Sequence, residues 1–113
     1  MHITEHVHDG VLVLKISGRL NYYSRKTFQA VMRNAERGAA EHVVVNLEQA
    51  EFLDSVAIGL LALSQARLTL QGIALSLVGP HSNVKKVLDT ANIHKLIPIY
   101  QTEEEAIGFP MAV

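Results

Sequence analysis

The chain has 113 residues, 49% of them hydrophobic and 19% charged, and it has no cysteine. That length holds one compact domain over residues 1–113 rather than two, and the missing thiols exclude disulfides, thiolate nucleophiles and cysteine-based metal sites. Ten Lys and Arg against eleven Asp and Glu leave a formal net charge of −1, so bulk charge gives no reason to expect nucleic acid or an anionic membrane as partner.

Residues 1–6 lack the basic and apolar regions of a secretory signal. The longest apolar run, residues 56–63, is interrupted by Gly59 and falls far short of the roughly 20 residues that span a bilayer. A cytoplasmic protein without membrane insertion is the expectation.

Residues 3–8 and 11–17 flank Asp9-Gly10, a dipeptide suited to the two positive φ angles of a type I′ hairpin turn. Residues 11–14, Val-Leu-Val-Leu, are apolar on both faces, which predicts a strand inside the sheet. Phe28, Val31, Met32 and Ala35 form one helical stripe, with Ser24 placed to cap its start and Gly38 to end it. Residues 42–47 centre on three valines and read as a strand.

A second helix is predicted over residues 55–71, with Ser55 as N-cap and Gly72 closing it. Its first half is apolar nearly all round. One face must pack on the sheet, and the surplus of Val56, Ile58 and Leu61 is expected as an exposed patch. Residues 73–78 read as a buried strand, and Ser82 is placed to cap a third helix with Val84, Val87, Leu88 and Ala91 on one stripe. Residues 97–100 form a short strand, confined to an edge or strand start by Pro98. Thr102 and Glu105 form a capping box for a last short helix, whose Glu103-Glu104-Glu105 run complements the helix dipole. The order β-β-α-β-α-β-α-β-α implies an α/β domain. Its mixed sheet has about five strands, an N-terminal hairpin followed by parallel pairing, with about four helices.

No G-x-S-x-G elbow, G-x-x-x-x-G-K loop or G-x-G-x-x-G turn is present. His6 and His8 face one side of a strand, but no third ligand is evident, and solvated histidines explain them. His42, His81 and His94 sit at element ends as surface or capping residues. Ser55 stands where a central strand hands over to a helix, at the carboxyl end of the sheet, where open α/β folds place their sites. Local sequence favours an ordinary N-cap there. The free N–H groups of a helix start also suit a phosphate, and such a charge beside an apolar patch opposes partner binding.

Residues 52–59, Phe-Leu-Asp-Ser-Val-Ala-Ile-Gly, resemble the signature of anti-sigma factor antagonists, bacterial members of the STAS domain family. Ser17-Gly18-Arg19-Leu20-Asn21, the strand at residues 43–47, and the segments around residues 77–88 and 94–100 resemble the rest of that family's chain in order. The resemblance implies a partner-switching phosphoprotein with no cofactor, no catalytic residue and no turnover of its own. Its partners would be an anti-sigma factor that is also a serine kinase, and a metal-dependent serine phosphatase.

Ser55 matches the phosphorylated serine, with Asp54 and Asn21 supporting it. Ser55, Val56, Ile58, Gly59 and Asn21 fall at the implied partner-binding surface. Asn21 and Asn46 stand where the family usually has aspartates, and both are expected at the rim beside Ser55. A second reading keeps the STAS domain but without phosphorylation, as a scaffold in a stress-signalling assembly or as the cytoplasmic subunit of a lipid ABC transporter.

Overall fold

The computed structural model describes residues 1–108. Two strands, β1 (His2–His8) and β2 (Val11–Leu20), precede α1 (Arg25–Arg37), β3 (His42–Leu53), α2 (Ser55–Leu70) and β4 (Ala74–Val78). Then come α3 (Ser82–Thr90), β5 (Ile99–Tyr100) and α4 (Glu103–Ile107), with 3-10 turns at Tyr22–Ser24 and Ile93–Lys95. The strands lie side by side in chain order. β1 pairs antiparallel with β2, and every later pair is parallel. This is the mixed α/β sheet that the element order implies.

The hairpin turn carries φ 48° at Asp9 and 80° at Gly10, both positive as a type I′ turn requires. β2 lies between β1 and β3, and its two faces feed two cores. Leu12, Leu14, Ile16 and Leu20 join Val43, Val45 and Leu47 beneath α1, α2 and α3, where Phe28, Met32, Leu61, Leu68, Val84 and Leu88 are buried. Val11, Val13, Val44 and Val78 form a smaller cluster on the other face with Ala106 of α4. Two covered faces explain why residues 11–14 are apolar without alternation.

Several element ends differ from expectation. β3 runs six residues past Leu47, to Leu53, although residues 48–52 show no clean alternation. Pairing with β2 carries this extension (Gly18↔Ala50, Arg19↔Phe52, Leu20↔Leu53), and the Arg19 guanidinium lies 4.6 Å from the Phe52 ring centroid. Gly38 ends α1 with φ −83°, so the left-handed freedom of glycine is not used there. Gly72 does use it: φ is +75°, and N–H groups of Gly72 and Ile73 donate to Thr69 and Leu68, each at 2.9 Å, a Schellman end. Ser82 is the first residue of α3 rather than its cap, the cap position being His81. Thr102 caps α4, while Glu105 reaches back to the Gln101 N–H at 3.0 Å.

His42, at the start of β3, shares a hydrogen bond of 2.7 Å with Ser76 Oγ of β4, and burial lowers its pKa. A histidine held neutral in the fold is protonated more readily when unfolded. Its contribution to stability is therefore whole above the ordinary histidine pKa of about 6.5 and falls as pH drops below it. Thermal melts between about pH 7.5 and 5.5 should show His42→Gln losing less stability over that range than the parent chain.

Candidate functional site

At the end of β3 the chain turns into α2 through Asp54, whose backbone is extended (φ −116°, ψ −173°). Its Oδ1 accepts the Ala57 N–H at 2.9 Å. Asp54 is therefore the N-cap, and the expectation that Ser55 fills this role is corrected. The carboxylate sits one residue earlier, in the extended conformation a cap needs, and a charged acceptor binds an N–H more strongly than a hydroxyl does. Ser55 becomes the first helical residue. It is exposed, and its hydroxyl makes no hydrogen bond among the described residues. The Ser55 and Val56 N–H groups have no acceptor within the helix.

The second carboxylate oxygen of Asp54 accepts the Tyr22 N–H at 3.3 Å. This joins the loop after β2 to the start of α2. The loop is itself held by Asn21, whose Oδ1 accepts the Tyr23 and Ser24 N–H groups at 2.9 and 3.2 Å. Ser24 Oγ accepts the Asn21 N–H at 3.0 Å and donates to the Arg19 carbonyl at 2.9 Å. Ser24 stands at the N-cap position of α1, but its side chain serves the 3-10 turn and makes no cap hydrogen bond to α1. Arg25 lies 3.7 Å from the Tyr22 ring centroid and donates to the Tyr22 carbonyl at 2.6 Å. Tyr23 is left 90% exposed.

Asn46 does not join this rim. It is buried on the sheet face that α4 covers, donating to Glu48 Oε1 at 3.1 Å and to Glu103 Oε2 at 2.6 Å. Its place on β3 alternates with Val45 and Leu47, which point to the main core, so the pleat directs it away. Leu61 is also corrected. It is wholly buried, and Val56 and Ile58 are half-buried against the core. Gly59 is exposed, with open space where a Cβ would lie.

A groove of about 890 Å³ opens between α2 and α3, lined by Asp54, Ser55, Ile58, Ser82, Lys86 and Val87 among others. β3 and β4 are parallel neighbours, so the helices that follow them begin at the same edge of the sheet. Sequence reasoning missed Ser82 and Lys86 as site residues. The signal was present in the repeated strand-to-helix handover at Asp54-Ser55 and at His81-Ser82. Tyr22 and Tyr23 were missed too, and only the Asp54 bridge places them here. His6 and His8 share a face of β1, as their spacing implies, and no group of three metal-ligating side chains occurs among the described residues.

The family model for the STAS domain matches residues 2–106. The chain belongs to the STAS domain family. The anti-sigma F factor antagonist of Paenibacillus polymyxa is 29% identical over 101 residues, covering 88% of this chain and 86% of its own. A solved anti-sigma factor antagonist from Thermotoga maritima superposes with a TM-score of 0.86 at 23% identity, covering 95% and 92% of the two chains. The Bacillus cell fate determinant SpoIIAA in its phosphorylated form superposes with a TM-score of 0.73 at 24% identity, covering 96% and 98%. These superpositions show the shared STAS fold. Among the described residues no helix is long and apolar enough to cross a membrane.

The division of labour between Asp54 and Ser55 is measurable. Asp54→Ala should lower unfolding stability by about 1–2 kcal/mol, the cost of a lost N-cap. Asp54→Asn should keep most of it, and Ser55→Ala should stay within about 0.5 kcal/mol. Urea titrations of the three variants provide the check.

Proposed function

We propose that this STAS domain is an anti-sigma factor antagonist-type regulatory module whose switch is phosphorylation of Ser55. One observation carries the reading. Ser55 lies exposed on the first turn of a 16-residue helix, and its hydroxyl is free because Asp54 does the capping. A phosphoryl group there would meet the unpaired N–H groups of Ser55 and Val56 and the positive end of the helix dipole, so the fold tolerates it. The same group, carrying about −1.5 to −2 charges, would stand beside the Asp54 carboxylate and the half-buried Ile58 at the mouth of the groove.

In the unphosphorylated form the surface of Asn21, Ser55, Val56, Ile58 and Gly59 binds an anti-sigma factor that is also a serine kinase. Transfer of the ATP γ-phosphoryl group to Ser55 Oγ adds charge to a contact that must be desolvated, and the complex opens. A metal-dependent serine phosphatase restores the hydroxyl. The domain is substrate and ligand, with no turnover of its own. The relative from Paenibacillus polymyxa is named an anti-sigma F factor antagonist, and SpoIIAA exists in a phosphorylated form. Both lend support.

The asparagines at positions 21 and 46 do not favour the unphosphorylated-subunit reading. Asn21 supplies its capping oxygen as an aspartate would, and Asn46 lies on the far face of the sheet. With the cognate kinase and ATP, intact-mass measurement should find a single phosphoryl addition that Ser55→Ala abolishes. Ser55→Asp should weaken partner binding in a pull-down. Phosphate mapped to Ser82 or a threonine would sink the switch, and full binding by Ser55→Asp would point to a constitutive scaffold or transporter subunit.

A further inference from the structure

The outer side of α2 is as apolar as its inner side. Ala57, Leu60, Leu61, Ser64 and Leu68 are buried toward the sheet. The opposite side carries Gly59, Leu63, Ala66 and Leu70, flanked by Ser55, Arg67 and Thr69, all exposed, with Leu63 at 52% and Leu70 at 83%. The first four step by four, three and four residues, the spacing of a heptad seam, over roughly 16 Å of helix. Large and small residues alternate along it. A Cβ at Gly59 would meet nothing within 4 Å, so the fold itself gains nothing from a glycine that weakens the helix. A hollow at Gly59 has a use only if something outside fills it.

The seam lies in a basic field that the net charge of −1 conceals. Helices α1, α2 and α3 carry seven Lys and Arg against two carboxylates, Glu36 and Asp89, while the rest of the chain carries three against nine. Two of the seven are paired, Arg67 with Glu36 at 2.9 Å and Lys85 with Asp89 at 3.4 Å. The remaining cations stand on the helices to either side of α2.

We propose that this face docks an amphipathic helix of another protein, apolar at heptad positions and flanked by carboxylates. Knobs from such a helix enter the hollows at Gly59 and Ala66, Leu63 and Leu70 pack between them, and the flanking acids meet the basic neighbours. A second copy of this chain fits less well, because an antiparallel pair of α2 helices would bring the two basic α1 helices together. A bilayer has no use for the hollows, and the seam lacks the aromatic side chains that favour a lipid interface. The seam shares Gly59 with the surface proposed above for the anti-sigma factor, but it extends beyond that surface to Leu63, Ala66 and Leu70 and does not rest on the Ser55 reading.

The test uses the full chain and a fluorescein-labelled synthetic helix with Leu at heptad a and d and Glu at e and g. A control peptide has Lys in place of Glu. Fluorescence anisotropy should show the acidic peptide binding at least about tenfold more tightly than the basic one. Leu63→Glu and Leu70→Glu should each abolish that binding with circular dichroism unchanged, while Val7→Glu, at an exposed position on β1, leaves it intact. Equal binding of the two peptides, or indifference to the seam variants, overturns the proposal. So would a dimer in sedimentation velocity that Leu63→Glu dissociates, which assigns the seam to a second copy. Uptake by phosphatidylglycerol vesicles that the same variants abolish would assign it to a membrane and equally overturn it.

Discussion

The carboxylate of Asp54 accepts two backbone N–H groups from segments that are distant in the chain, Ala57 in the first turn of α2 and Tyr22 in the loop after β2. Everything near the candidate site depends on that double role. It starts the helix, ties down the loop that Asn21 and Ser24 fold on themselves, and leaves the neighbouring serine without structural work. A hydroxyl at position 54 could serve the helix, but it would lack the second charged oxygen that holds Tyr22.

The position of that carboxylate follows from the sheet. β3 extends to Leu53 only because β2 accompanies it that far, past two shifts in register. The extension carries Asp54 to the level of the β2 loop. On the other side β4 ends at Val78, and Gly79 (φ +67°) turns the chain where a Cβ would collide with the Glu48 side chain. His81 then binds the Glu48 carbonyl at 2.8 Å, and α3 begins beside α2. Two parallel strands thus deliver two helix N-termini to one groove, with Lys86 on its wall.

Much of this was legible in advance. Asp9-Gly10 named its own turn, the double-faced apolar run at residues 11–14 implied a covered strand, and Gly72 marked a helix end. Each is a local signal whose physics needs only a few neighbouring residues. The misreadings share a cause as well. Ser24, Ser55 and Ser82 all look like caps, yet Ser24 holds the N-cap position of α1 without a side-chain bond to it, and Ser55 and Ser82 are the first helical residues behind Asp54 and His81. Asp54 takes the cap of α2 from Ser55, while the Ser24 hydroxyl is turned to the 3-10 turn that Asn21 caps. Propensity ranks a residue type and cannot see which acceptor arrives first.

The amino-acid order alone determined the element types, the hairpin, the parallel succession and the placing of Asp54-Ser55 at a strand-to-helix handover, because hydrophobic period and turn chemistry are encoded locally. Only the tertiary structure decided which residue caps α2, that Asn46 faces α4 rather than the rim, and that Tyr22 and Lys86 stand near Ser55. It also decided that the charges divide, with the basic residues on one helical layer. Those facts depend on register and pleat, which set where residues far apart in the chain meet, and no stretch of sequence contains them.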